Sequence, residues 1–335
     1  MAKVKVGILG AGFAAGLHAD ILQDDERVEI LGIADLYVDK AKKLAGTLHG
    51  DIQAVTTLEE LIELGVDTVY VTTPNTMHVD AVVACLEHDV NVFSEKPMAT
   101  SIEGAKKILY AVERSKGIYN LGMNRRFAYV HKEIKEKIEK KEIIPYAAHI
   151  KLNRGELLKP AWTADPEITG GFLYETTIHQ IDLMSYFFGN ITSVKCEARK
   201  NLSDIQYDDF VMLFTFESGT IATLISSAHS GWSFPFESVE IYGKYSTIAT
   251  EEIETIRFSQ GLEQKIEKKD YRQVPFKEKC GYVEEDRLFI DAILNGGEPP
   301  VNAKEAFELT YLIEKIYESA DTGKTIRLDE KEASV

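Results

Sequence analysis

A chain of 335 residues is long for one domain and comfortable for two. With 44% hydrophobic residues and only nine prolines it can bury a core, which excludes a disordered chain. Its 38 basic against 54 acidic residues leave a net charge of −16 with no basic block, which excludes nucleic acid and anionic membranes as partners.

An anionic ligand must therefore be held locally, by backbone amides and helix ends. The three cysteines, Cys85, Cys196 and Cys280, are scattered and odd in number, which predicts reduced thiols and a cytoplasmic protein. The opening MAKVKVGILGAG runs from lysines straight into a strand and a glycine turn, too short and broken for a signal peptide. No apolar run is long enough to span a bilayer.

In the first part of the chain, short β-branched runs alternate with helical spacing. Strands are expected at Val4–Leu9, Val28–Ala34, Thr68–Thr73, Asn91–Ser94 and Tyr119–Leu121, with helices including Asp39–Leu48 and Val79–His88. Thr57-Leu-Glu-Glu60 and Thr100-Ser-Ile-Glu103 have the form of capping boxes. Near-continuous apolar strands between helices predict a parallel, doubly wound α/β sheet over residues 1–123.

The pattern changes near Gly122–Phe127, without a flexible linker. YDDFVMLFTFESGTIATLISSAH reads as two strands about a Glu217–Thr220 turn, and FESVEIYGK and ETIRFSQ continue the run. Helices follow at Tyr282–Leu294 and Ala303–Thr322, the second opened by Asn302-Ala-Lys-Glu305. Residues 124–335 are thus expected to form an α+β domain on a mainly antiparallel sheet.

Gly10-Ala-Gly12-Phe13-Ala14-Ala15 lies between a strand and a helix, the context that makes the G-x-G-x-x-A pattern informative. Gly10 permits the turn, Gly12 lets the backbone approach a pyrophosphate, and Ala15 lets helix and strand pack closely. Asp35 ends the second strand about 20 residues further on, where a carboxylate meets adenosine ribose hydroxyls. Leu36 and Tyr37 follow, with no arginine for a 2′-phosphate, so NAD is favoured over NADP. Asp35 could otherwise be a turn residue or helix cap. Thr73, Pro74, Asn75 and His78, in VTTPNTMH, are further candidates to line the cofactor, or else form a turn and a helix start.

GILGAGFAA, VTTPNTMH, FSEKPMA and GGFLYETTIHQID, in that order, resemble the Gfo/Idh/MocA family of oxidoreductases, which includes glucose–fructose oxidoreductase and inositol 2-dehydrogenase. The resemblance spans nearly the whole chain. It implies a Rossmann domain followed by an open-sheet domain that pairs through its sheet face into a homodimer or homotetramer. It also places Glu95, Lys96 and Pro97 on the family's Glu-Lys-Pro motif, whose lysine belongs to the active site. Lys96 follows a strand at the carboxyl edge of the sheet, and Pro97 stiffens its presentation. Beside a positively charged nicotinamide its charged form should be disfavoured, fitting a hydrogen-bond donor and proton shuttle.

Glu175, His179 and Asp182 fall at i, i+4 and i+7 of a helical segment and should share one face. Family members commonly carry an aspartate four residues before this histidine, where this chain has Glu175. The expected roles are His179 as base, Lys96 as stabiliser of the developing alkoxide and Glu175 as orienter, all three touching substrate. Asn124, Arg125, Arg126, Lys151, Arg154 and Trp162 are lesser substrate candidates, and the arginines could equally pair with carboxylates. No metal is expected. These features together predict an NAD-dependent dehydrogenase acting on a secondary alcohol of a sugar, sugar derivative or cyclitol. Alternatives are a glycosidase using transient oxidation by held NAD, a keto-sugar reductase, and a non-catalytic dinucleotide-responsive binding protein.

Overall fold

The computed structural model describes residues 3–155, 157 and 161–328. The chain divides into two compact units, Met1–Met123 with Tyr282–Thr310, and Asn124–Gly281 with Tyr311–Val335.

The first unit is built on six parallel strands: β1 Val4–Leu9, β2 Val28–Ala34, β3 Gln53–Val55, β4 Thr68–Val71, β5 Asn91–Glu95 and β6 Tyr119–Gly122. They lie in the order β3-β2-β1-β4-β5-β6, the doubly wound order of dinucleotide-binding sheets. All four residues of β4 are buried, as expected of a strand covered on both faces. β3 went unread in the sequence because three residues, one of them a glutamine, carry no periodicity. The expected helices appear at Val38–Ala45 and His78–Glu87, within a few residues of their sequence bounds. Thr57 and Glu60 form the expected capping box of helix Leu58–Glu63. At the next helix the register moves by one: Ser101, not Thr100, caps Ile102–Arg114 by accepting from the Gly104 amide at 3.1 Å.

Helix Tyr282–Asn295 packs into this unit, although the sequence placed it with the second domain. Phe289 and Ile290, both fully buried, join Val6, Ile8, Tyr70 and Phe93 in one core. Burying each such side chain is worth about 1.5–3 kcal/mol. Which sheet a helix's apolar stripe will cover cannot be read from chain order.

The second unit carries a nine-stranded sheet of β7 Ala147–Asn153, β8 Ile191–Arg199, β9 Asp209–Phe216, β10 Ile221–Ser227, β11 Glu237–Gly243, β12 Ser246–Glu251, β13 Thr255–Gln260, β14 Glu267–Asp270 and β15 Ile326–Arg327. The order is β14-β13-β12-β11-β7-β10-β9-β8-β15, antiparallel throughout except for the parallel β7–β10 pair. Alternation divides the faces. Phe210, Met212, Phe214, Leu224, Ile150 and Ile241 are buried on one side, while Val211, Leu213, Ile221 and Tyr242 stay 40–54% exposed on the other. Among the described residues no helix is long and apolar enough to cross a membrane.

Candidate active site

The carboxyl ends of β1, β2, β4 and β5 gather the residues expected to hold a dinucleotide. Gly10 has φ +99, and a Cβ there would lie 2.7 Å from the Thr72 carbonyl oxygen. Only glycine makes this turn without strain. Gly12 caps helix Phe13–Leu22 with no side-chain bond to the helix, and a Cβ on it would meet nothing within 4 Å. The helix therefore opens on free space with its first amides uncapped and no acidic residue in its first turn. Phe13 is 78% exposed, Ala14 is half-buried and Ala15 is fully buried against the core. Backbone donors at a positive helix end, with room before them, fit a pyrophosphate.

Asp35 is half-buried at the end of β2, and its two oxygens accept from the Ala11 amide at 3.0 Å and the Tyr37 amide at 2.8 Å. The carboxylate thus braces the glycine turn, the structural role foreseen beside the ribose-binding one. The two are compatible, because a carboxylate has about four acceptor sites. Thr73 is half-buried, Pro74 exposed and Asn75 buried in the short 3₁₀ turn after β4. His78 departs from a cofactor-lining role. It is fully buried, with Nδ1 2.8 Å from the Pro97 carbonyl and Nε2 2.8 Å from that of Thr73. Burial lowers its pKa, with the two carbonyls opposing.

Lys96 is half-buried immediately after β5, and its peptide bond to Pro97 is cis. The Glu95 side chain turns inward: Oε1 is 3.2 Å from His18 Nε2, and Oε2 accepts the Lys96 amide at 3.2 Å. Beyond it lies a buried charge cluster that sequence reasoning missed. His18, fully buried on helix Phe13–Leu22, places Nδ1 2.9 Å from both oxygens of Asp286. Burial opposes a charge on His18, but Asp286 and Glu95 outweigh it and raise its pKa to about 10. Burial likewise works against the Glu95 charge, yet His18 and Lys96 hold its carboxyl below the usual range. Burial raises Asp286 and, with Asp286 and Glu95 beside it, lifts Glu285 well above a normal carboxyl. A signal existed. Glu285 and Asp286 lie four and three residues before Phe289, on the stripe that is otherwise apolar.

In the second unit the helix bearing His179 starts with an irregularity. Gly170 and Gly171 have φ +80 and +111, and a Cβ on Gly171 would lie 2.8 Å from the Tyr317 hydroxyl. Leu173–Thr177 then forms one turn of π-helix before the α-helix Ile178–Phe188. Such turns are rare and frequent at functional sites. Glu175 and His179 are half-buried among neighbours that are almost all buried.

Asp182 separates from that pair, because it is buried in a two-pronged ion pair with Arg126. Nε and one terminal nitrogen of Arg126 lie 2.8 and 2.7 Å from its oxygens. Arg126, only 7% exposed, is thereby committed to the fold, which is the carboxylate-pairing alternative foreseen for it. Arg125 similarly meets Glu237 at 3.1 Å, and that glutamate also accepts from Gln180 at 2.9 Å. Asn124, buried, donates to the Cys280 carbonyl at 2.8 Å. Lys151 donates to the Pro235 carbonyl at 2.9 Å, and Arg154 lies over the Trp232 and Phe236 rings. Trp162 stays 44% exposed in the 3₁₀ turn Ala161–Ala164. Elsewhere Asp208, Asp209 and His229 bring ligand-type atoms within 4.8 Å of one another. Asp208, however, already accepts three backbone amides, from Asn201, Leu202 and Ser203.

A doubly wound sheet with an open glycine turn before a helix, and a lysine mounted at the end of β5, defines a dinucleotide-binding oxidoreductase. Family models make this specific. An oxidoreductase family with an NAD-binding Rossmann fold matches residues 4–123, and the same family's C-terminal alpha/beta domain matches residues 135–328. The chain belongs to the Gfo/Idh/MocA oxidoreductase family and is a dehydrogenase of the NAD-dependent type. It is 24% identical over 340 residues to myo-inositol 2-dehydrogenase of Thermotoga maritima, covering 98% of this chain and 99% of that one. It is 26% identical over 253 residues to scyllo-inositol 2-dehydrogenase (NAD(+)) of Bacillus subtilis, covering 73% of each. Among solved structures, an oxidoreductase from Agrobacterium radiobacter in complex with NAD+, L-tartaric acid and magnesium shares the fold, with TM-score 0.88 and 19% identity over 97% of this chain and 98% of that one.

Proposed function

We propose that the protein oxidises a secondary alcohol of a sugar, sugar derivative or cyclitol, with NAD rather than NADP as acceptor. The observation that carries this reading is the alignment over nearly the whole chain with myo-inositol 2-dehydrogenase, together with half-buried Glu175 in the π-turn Leu173–Thr177 and half-buried His179 at the start of the helix that follows. NAD when bound accepts the hydride from the carbinol carbon. His179 takes the hydroxyl proton as general base. Lys96 donates a hydrogen bond to the oxygen as its negative charge grows. Glu175 orients the imidazole or binds a neighbouring hydroxyl. Its extra methylene, relative to the family's usual aspartate, moves the carboxylate by about one bond length and bears on substrate choice.

Preference for NAD rests on Asp35, whose charge would repel a 2′-phosphate, and on the exposed Leu36 and Tyr37 that follow it. The apolar exposed face of the nine-stranded sheet, centred on Val211, Leu213 and Ile221, fits burial against a second copy in a dimer or tetramer. Three buried free thiols fit a reducing cytoplasm.

The test is NADH absorbance with NAD or NADP against a panel of cyclitols, aldoses and sugar phosphates. NAD-dependent turnover of a polyol supports the reading. Glycoside cleavage without net NADH, turnover only with NADH and ketones, or nucleotide binding without any turnover would each replace it. Lys96→Ala is expected to bind NAD normally and lose most turnover, by about 100-fold or more. Wild-type turnover in that variant would remove the lysine from the mechanism.

A further inference from the structure

The turn carrying Lys96 is held by groups that no cofactor or substrate contact explains. We infer that His18 is a positioning residue for Lys96: as a buried imidazolium it grips Glu95 and, through Glu95, the backbone of the Lys96 turn. This rests on the role given to Lys96 above.

The geometry carries the charge state. Both ring nitrogens of His18 face carboxylates, Asp286 at 2.9 Å on one side and Glu95 at 3.2 Å on the other. An ionised carboxylate only accepts, so both nitrogens are satisfied only when both carry a proton. The ring is fully buried, with Tyr70, Phe93 and Tyr282 rings at 5.3, 4.9 and 5.8 Å between centroids. Glu285 is a further carboxyl beside the ring on helix Tyr282–Asn295 and accepts the Met123 amide, while the buried Tyr70 hydroxyl faces Asp286. Burial among these rings opposes a charge, and the two facing carboxylates outweigh it.

The other oxygen of Glu95 accepts the Lys96 amide at 3.2 Å. A continuous path thus runs from Asp286 through His18 and Glu95 to the Lys96 backbone. His18 sits on helix Phe13–Leu22, whose N-terminus is the candidate pyrophosphate cradle. The device therefore registers the lysine against the helix that would hold the cofactor. On the far side of Lys96, His78 bonds the Pro97 carbonyl at 2.8 Å, and its lowered pKa keeps that ring neutral. Each residue flanking Lys96 is held by a buried histidine, one charged and one not. Small misplacements of a reacting group cost about 100-fold in rate, which gives such bracing a purpose.

The experiment uses the whole chain, with ¹⁵N-labelled histidine and backbone, and the variants Glu95→Gln and His18→Gln. At about pH 8.5 a free histidine is neutral, and His18 is expected to retain the imidazolium signature there. In Glu95→Gln, which keeps the side-chain shape, the Lys96 amide resonance should shift and His18 should lose its proton at lower pH. NAD affinity and substrate KM should stay within about threefold while kcat falls about 10- to 100-fold. His18→Gln should reproduce this split if it folds, and Glu95→Gln decides the matter if it does not. A neutral His18 at that pH, an unmoved Lys96 amide or an unchanged kcat would overturn the inference. If the wild-type chain turns over no polyol, the proposed function fails, while the imidazole and amide signals still decide whether His18 holds the turn.

Discussion

The two fingerprint glycines should respond in opposite ways to one added methyl. In Gly12→Ala the new Cβ meets no atom within 4 Å, and the backbone at φ −86 is open to any residue. Stability should hold or rise by about 0.4–1 kcal/mol, because alanine leaves the unfolded chain fewer conformations. The methyl nonetheless occupies the space before the helix amides. Losing one charge-assisted hydrogen bond there costs about 1.5–3 kcal/mol, or roughly 10- to 150-fold in Kd. In Gly10→Ala the residue sits at φ +99 with its Cβ 2.7 Å from the Thr72 carbonyl oxygen. Left-handed strain of about 1–2 kcal/mol and overpacking of about 1–3 kcal/mol should add, lowering the melting midpoint by roughly 5–15 °C. Thermal denaturation without nucleotide, with NAD titration calorimetry, separates the two. Wild-type NAD affinity in Gly12→Ala would refute the assignment of that space to a phosphate.

Other consequences follow from the buried charges. Asp182→Ala removes the two-pronged carboxylate partner of the buried Arg126 guanidinium, so urea unfolding should show a loss of about 3–5 kcal/mol. If Arg126→Met instead raised substrate KM at unchanged stability, Arg126 would be a substrate ligand after all. His18 titrates near 6.5 when unfolded and at about 10 when folded. Its stabilisation is therefore complete below about pH 6.5 and is lost as pH rises through about 10. Urea midpoints should decline across that window in the wild-type chain and decline less in His18→Gln. Equal slopes would remove His18 as the source.

The strand–helix alternation, the glycine turn, Asp35 and the Glu-Lys-Pro segment were legible in the sequence because each is local. A strand, a tight turn and a helix start are written within a few consecutive residues. One boundary shifted where equivalent acceptors compete, as when Ser101 displaced Thr100 at a helix cap. Side-chain commitments were less legible, since a carboxylate's partner is chosen in space. Asp182 looked like part of a polar face with Glu175 and His179, and pairing with Arg126 decided otherwise.

The sequence by itself determined the doubly wound sheet and the residues that open it to a dinucleotide, because hydrophobic period and glycine chemistry act over short stretches of chain. Only the tertiary structure decided that helix Tyr282–Asn295 returns to the first sheet and brings Asp286 to His18, 268 positions away in the chain. Contacts at such separation depend on which apolar faces remain uncovered after the local elements form. A one-dimensional pattern does not contain that choice.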